Sequence, residues 1–144
     1  MIETKILLVD DEESFVTALA KRLAVREIKA LSAFSGDEGL DKLDRNPDVD
    51  VVLLDVKMPG MDGIETLREI KRTHPTVEVI MLTGHGTVES AIEGMKLGAF
   101  DYLMKPCDLE ELMAKVEVAR TKKRSHQEKI LEAYGKEMRG KRGR

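Results

Sequence analysis

Five short runs of apolar and β-branched residues punctuate the chain, at Lys5 to Val9, Lys29 to Ala33, Val51 to Leu54, Val77 to Leu82 and Phe100 to Met104. Each has the length of a strand, and Ile6-Leu7-Leu8-Val9 and Val51-Val52-Leu53-Leu54 are apolar at every position. A strand that buries one face alternates apolar with polar residues, so an unbroken run predicts a strand covered on both sides. Between the runs, apolar residues recur at helical spacing, as in Phe15, Leu19 and Leu23, in Leu67 and Ile70, and in Leu109, Leu112 and Val116. Strand and helix alternate five times, which predicts an α/β domain of three layers, a doubly wound parallel sheet with helices on each face. Ser35-Gly36, Pro59-Gly60 and Asp62-Gly63 supply turn and cap signals ahead of the second and third helices, and His74-Pro75 stops the third.

Past Arg120 the pattern weakens. Ile130, Leu131, Tyr134 and Met138 form one amphipathic stripe, while Gly135, Gly140 and Gly143 count against a stable helix. The expected division is a folded domain over residues 1–119 and a basic extension over 120–144, either a continuation of the last helix or disordered. Charge separates the same two parts. The extension holds ten Lys or Arg against three Glu, and the first 119 residues hold fourteen against twenty-four, so a net charge of -3 conceals an acidic body and a basic tail. With 3% aromatic residues the core must be aliphatic, and a single cysteine, Cys107, offers neither a disulfide nor a zinc spacing. No apolar run approaches the roughly 20 residues of a membrane span and no leader pattern opens the chain, so a soluble cytoplasmic protein is expected.

Ligands of open α/β sheets bind beyond the carboxyl ends of the strands. The residues there are Asp10-Asp11 after the first run, Asp55 after the third, Thr83-Gly84 after the fourth and Lys105-Pro106 after the fifth. With the strand order 2-1-3-4-5, the carboxylates of strands 1 and 3 are neighbours. Three carboxylates in one place repel unless a cation sits among them, and an all-oxygen set suits Mg²⁺ rather than Zn²⁺. No glycine-rich phosphate loop follows the first strand, so a nucleotide cradled by backbone amides is not expected. The set fits phosphoryl transfer: Asp55 as nucleophile, Asp10 and Asp11 on the metal, Lys105 and Thr83 against phosphoryl oxygens.

The strings Leu7-Leu8-Val9-Asp10-Asp11-Glu12, Leu54-Asp55-Val56-Lys57-Met58-Pro59-Gly60-Met61-Asp62-Gly63, Leu82-Thr83-Gly84-His85-Gly86 and Ala99-Phe100-Asp101-Tyr102-Leu103-Met104-Lys105-Pro106 together resemble the receiver domain of two-component response regulators over residues 3 to 119. The resemblance implies a flavodoxin-like (βα)₅ fold with Asp55 as phosphoacceptor. It also implies Mg²⁺ held by Asp11, Asp55 and the Lys57 backbone carbonyl, with Asp10 assisting through water. Thr83 and Tyr102 become the switch pair. On phosphorylation Thr83 moves toward the phosphate, Tyr102 turns inward, and the face made by the fourth helix, fifth strand and fifth helix rearranges. The implied partners are a sensor histidine kinase or phosphotransfer protein and a downstream protein on that face, with a phosphorylation-dependent homodimer as a further outcome. Nucleic acid is the least favoured partner and no membrane is involved. The Lys105-Pro106 bond is expected to be cis. Lys57 and His85 are either solvated side chains or tuners of dephosphorylation.

This reading makes the chain a stand-alone regulator, a signalling phosphoacceptor that catalyses its own phosphotransfer and autodephosphorylation rather than an enzyme. Two rivals stand beside it. A metal-dependent phosphatase with an aspartyl nucleophile carries Asp-x-Asp after its first strand, where this chain has adjacent Asp10-Asp11. A flavin-binding relative would have to place a phosphate in an acidic pocket.

Overall fold

The computed structural model describes residues 3–56, 58, 62–84 and 86–142, and side chains as far as Lys136. Its elements are β1 (Lys5–Val9), α1 (Glu13–Val25), β2 (Lys29–Ala33), α2 (Gly36–Arg45), β3 (Val51–Leu54), α3 (Gly63–Thr73), β4 (Glu78–Thr83), α4 (Val88–Lys96), β5 (Asp101–Met104) and α5 (Leu109–Arg142). All neighbouring strand pairs are parallel and the order is β2-β1-β3-β4-β5. Three strands coincide with the expected runs; β4 begins at Glu78 and ends at Thr83, and β5 begins at Asp101.

The unbroken apolar runs are explained by two cores. Successive strand residues point to opposite faces. Ile6 and Leu8, with Val51, Leu53, Ile80 and Leu82, pack against Leu19 and Leu23 of α1 and Leu112 and Val116 of α5. Leu7 and Val9, with Val52, Leu54, Val79 and Met81, pack on the other face against Leu43 of α2 and Leu67 and Ile70 of α3. Caps end the helices where the sequence signals them. The Ser35 hydroxyl accepts the Glu38 amide at 3.2 Å, Asp62 accepts the Glu65 amide at 2.8 Å, and α3 stops at His74. Each such cap is worth about 1 kcal/mol. Among the described residues, no helix is long and apolar enough to cross a membrane.

The C-terminal segment departs from the glycine-based expectation. A single α5 of 34 residues runs through Gly135 and Gly140. Its middle is fastened to the amino-terminal edge of the sheet. Asp50, just before β3, is buried and takes Arg124 in a two-pronged contact at 3.1 and 2.9 Å, Lys123 at 3.4 Å and the Lys5 amide at 3.1 Å. Lys122 lies 3.7 Å and Lys71 3.9 Å from the buried carboxylate of Glu78, and Gln127 donates to Thr76. Propagating a formed helix is far easier than nucleating one, so the anchored turns carry the glycines beyond them, each costing about 1 kcal/mol. Ile130, Leu131 and Tyr134 then stand exposed.

Removing one side of a buried ion pair costs about 3–5 kcal/mol because the other charge stays buried. A chain ending at residue 119 should therefore lose that much in urea unfolding, whereas one ending at residue 127 should keep nearly full stability.

Candidate functional site

The register of the sheet assembles the site. β1 and β3 are neighbours, so Asp10 and Asp55 leave the sheet side by side, and the Asp55 amide donates to the Val9 carbonyl at 2.9 Å. Carboxylate oxygens of Asp10, Asp11 and Asp55 lie within 4.8 Å of one another. Asp10 and Asp55 are buried and Asp11 is exposed, so the cluster is open on one side. Both Asp55 oxygens are buried without a hydrogen-bond partner among the described residues. A bare buried carboxylate is costly, and oxygen donors converging on one point are what a hard divalent cation takes. The residues present fit such an ion.

Asp10 is already engaged. One oxygen accepts the Glu12 amide at 2.9 Å and the other the Lys105 ammonium at 2.6 Å. Burial pushes the Asp10 carboxyl above its ordinary pKa, aided by the charge of Asp55, and outweighs the pull of Lys105 and the Glu12 amide. Burial alone would lower the Lys105 ammonium, but its bond to Asp10, the charges of Asp10 and Asp55 and the contact with Glu12 carry it above the ordinary value. Lys105 also meets Glu12 at 3.2 Å and stands 3.9 Å over the Phe15 ring. The Lys105-Pro106 bond is cis, as expected. Thr83 is fully buried at the end of β4, and its carbonyl accepts the Lys105 amide at 2.8 Å.

Five of the expected site residues, Asp10, Asp11, Asp55, Thr83 and Lys105, therefore lie at one rim. Tyr102 is half-buried on β5, with its phenol 3.0 Å from the Ser90 hydroxyl. Lys57 and His85 lie outside the described residues. Sequence reasoning missed Glu12 and Phe15 as seats for Lys105. Glu12 directly precedes α1 and Phe15 belongs to its apolar stripe, and only the approach of β5 in space reveals the contact. Gly63 was read as a turn residue, but a Cβ there would stand 2.2 Å from the Asp55 carbonyl oxygen. The first turn of α3 thus presses directly on the backbone that carries Asp55.

Comparison with known proteins agrees with this geometry. Residues 6–117 match the family model of the response regulator receiver domain. The chain is 43% identical over 114 residues to the transcriptional regulatory protein ZraR of Escherichia coli (strain K12), covering 79% of this chain and 26% of that protein. It is 41% identical over 113 residues to the DNA-binding transcriptional regulator NtrC of Klebsiella pneumoniae, covering 78% and 24%. It therefore spans about a quarter of the length of these curated relatives. Among solved structures, a response regulator receiver domain protein from Clostridium thermocellum superposes with a TM-score of 0.80 at 40% identity, over 84% of this chain and 97% of that one. A CheY-like receiver domain protein from Methanospirillum hungatei gives 0.81 at 27% identity, over 87% and 99%. The matched span takes in β1 from Ile6, the other four strands and the whole acidic rim, and the chain belongs to the response regulator receiver domain family of two-component systems.

Proposed function

We propose that Asp55 is the phosphoacceptor of this receiver. The observation that carries the reading is its carboxylate, buried, unpartnered among the described residues and flanked by Asp10 and Asp11. An Asp55 oxygen attacks phosphorus in line with the departing nitrogen of a phosphohistidine, the P–N bond breaks as the P–O bond forms, and the imidazole leaves with the electron pair. Asp11, Asp55 and the Lys57 carbonyl would hold Mg²⁺, with Asp10 assisting through water. Bound there, the ion neutralises charge on the transferring phosphoryl oxygens. Lys105 and Thr83 supply the remaining donors, which requires Lys105 to exchange its Asp10 contact for a phosphoryl oxygen. Attack of water on the aspartyl phosphate returns the free carboxylate, so the domain is a self-resetting signal carrier rather than a turnover enzyme. Lys57 and His85, two positions beyond Asp55 and Thr83 in the sequence, are either tuners of that step or solvated side chains.

For the output we carry over what membership of the family implies. Thr83 and Tyr102 shift together, and the α4-β5-α5 face changes with them. That face exposes Val88, Ile92 and Met95 on α4, Met104 on β5 and Val118 on α5, an apolar surface suited to a downstream protein or a second copy. The upstream partner is a sensor histidine kinase or phosphotransfer protein, and the reading places the chain in the cytoplasm, where kinases draw on ATP. Some relatives are named as DNA-binding or transcriptional regulators, and this chain matches only their receiver part; to the described residues we assign protein contacts rather than nucleic acid. We set the boundary between receiver and extension at residue 119, two residues past the end of the family match, with the turns to Gln127 acting as a shared support.

Incubation with acetyl phosphate and Mg²⁺ should add one phosphoryl group by mass, and Asp55→Asn should add none; an unmodified wild-type mass defeats the reading. Without metal, Asp55→Asn removes one of three clustered charges and should raise stability by about 1–2 kcal/mol in urea. Millimolar Mg²⁺ should raise the wild-type unfolding midpoint by linkage and leave that of Asp55→Asn nearly unmoved.

A further inference from the structure

The first turn of α4 contains a hydroxyl with more neighbours than it can serve. Ser90 is the third residue of that helix and closes a capping box with Thr87. The Ser90 amide donates to Thr87 Oγ1 at 3.0 Å and the Thr87 amide donates to Ser90 Oγ at 2.9 Å. Ser90 Oγ also donates to the Thr87 carbonyl at 3.0 Å, lies 3.2 Å from Thr87 Oγ1, and lies 3.0 Å from the phenol of Tyr102 on β5. A hydroxyl offers one proton and two lone pairs. The Thr87 amide takes one lone pair and the Thr87 carbonyl takes the proton. The second lone pair is contested by the Thr87 hydroxyl and the Tyr102 phenol.

We propose that Ser90 is the positioning residue of the Tyr102 switch: one shared hydroxyl holds the phenol in its half-buried seat and caps α4, so that turning the ring and re-forming the first turn of α4 are a single event. The inference rests on the receiver reading and deepens it. Two further observations point the same way. A Cβ on Gly86 would fall 1.8 Å from the Tyr102 phenol oxygen, so the Gly86 backbone closes over the ring and a side chain at residue 86 would collide with this seat. The Tyr102 ring packs against the core that contains Met81 and Leu67, and the same two residues face Gly94 of α4 across ordinary contact distances.

The contested lone pair explains how the seat can be left. When the phenol departs, the Thr87 hydroxyl 3.2 Å away fills its place, so the bond is exchanged rather than lost and the capping box survives. The difference between the two arrangements is then small, which is what a ligand must be able to bias. Val88, the most exposed apolar residue of α4, belongs to the turn that feels the exchange. The partner-facing stripe thereby begins at the switch itself.

The chain has two tyrosines and no tryptophan, so Tyr134→Phe leaves Tyr102 as its single fluorophore of that kind. In that background, acrylamide quenching of Tyr102 should rise about twofold with Ser90→Ala and return to the starting value with Ser90→Thr, which keeps the hydroxyl. One hydrogen bond that favours the seated ring corresponds to about three- to tenfold in a linked equilibrium. Calorimetric titration with beryllofluoride and Mg²⁺ should accordingly show about that gain of affinity in Ser90→Ala, an equal gain in Tyr102→Phe, and no additional gain in the double variant, because the lost bond favours the seat that the ligand makes the ring leave. Tyr102→Phe leaves the capping box whole, so it reports even where Ser90→Ala folds poorly. Unchanged quenching in Ser90→Ala, a loss of beryllofluoride affinity in either single variant, or fully additive gains in the double variant, overturns the proposal. A wild-type protein that ignores beryllofluoride while Ser90→Ala still frees the ring overturns the phosphorylation reading and leaves the seat of Tyr102 standing.

Discussion

Like-charge repulsion at the carboxyl edge of the sheet is the constraint to which the rest of the molecule answers. Asp10 and Asp55 are carried there by adjacent strands whose interiors are wholly apolar, so neither carboxylate can retreat without breaking β1 or β3. Three carboxylates within reach of one another demand positive charge. The protein supplies one positive charge with Lys105, which settles on Asp10 and Glu12 and leaves Asp55 bare. An uncompensated group of this kind costs stability in a two-core domain that could have been built without it. Natural proteins keep such defects where function uses them.

The opposite edge solves a similar problem in another way. Asp50 and Glu78 are buried at the start of β3 and β4, but there the countercharge is built into the fold as Lys122, Lys123 and Arg124 of α5. One end of the sheet is internally neutralised, and the other is left open to a cation and a phosphoryl group. The contrast separates structural acids from functional ones better than burial does, since all four buried carboxylates are nearly inaccessible.

Much of this was legible in the sequence because it depends on short-range pattern. Unbroken apolar tetrads gave the two-sided sheet, and polar residues directly after each run gave the rim that unites Asp10, Asp11, Asp55, Thr83 and Lys105. What stayed hidden depends on contacts between segments that no periodicity links. Arg124 reads as one charge in a basic tail until α5 is laid along the sheet and Asp50 appears beneath it, 74 positions earlier. Gly135 and Gly140 lower local propensity, but propensity is outweighed once the preceding turns are fastened. Ser90 looks like an ordinary helix-start residue, and only Tyr102, twelve positions later and on another element, makes it more.

Anchoring α5 at Asp50 also has a mechanical meaning. The helix continues for fifteen residues beyond Gln127, about 22 Å at 1.5 Å per residue. The ion pairs fix the helix at the sheet edge, and the residues beyond them form a lever arm. A tilt of about five degrees at the pivot displaces the far tip by about 2 Å, enough to bring side chains into or out of contact with whatever lies beside it. The pole opposite Asp55 thus carries an arm long enough to turn a small tilt of the sheet edge into a displacement of contact size.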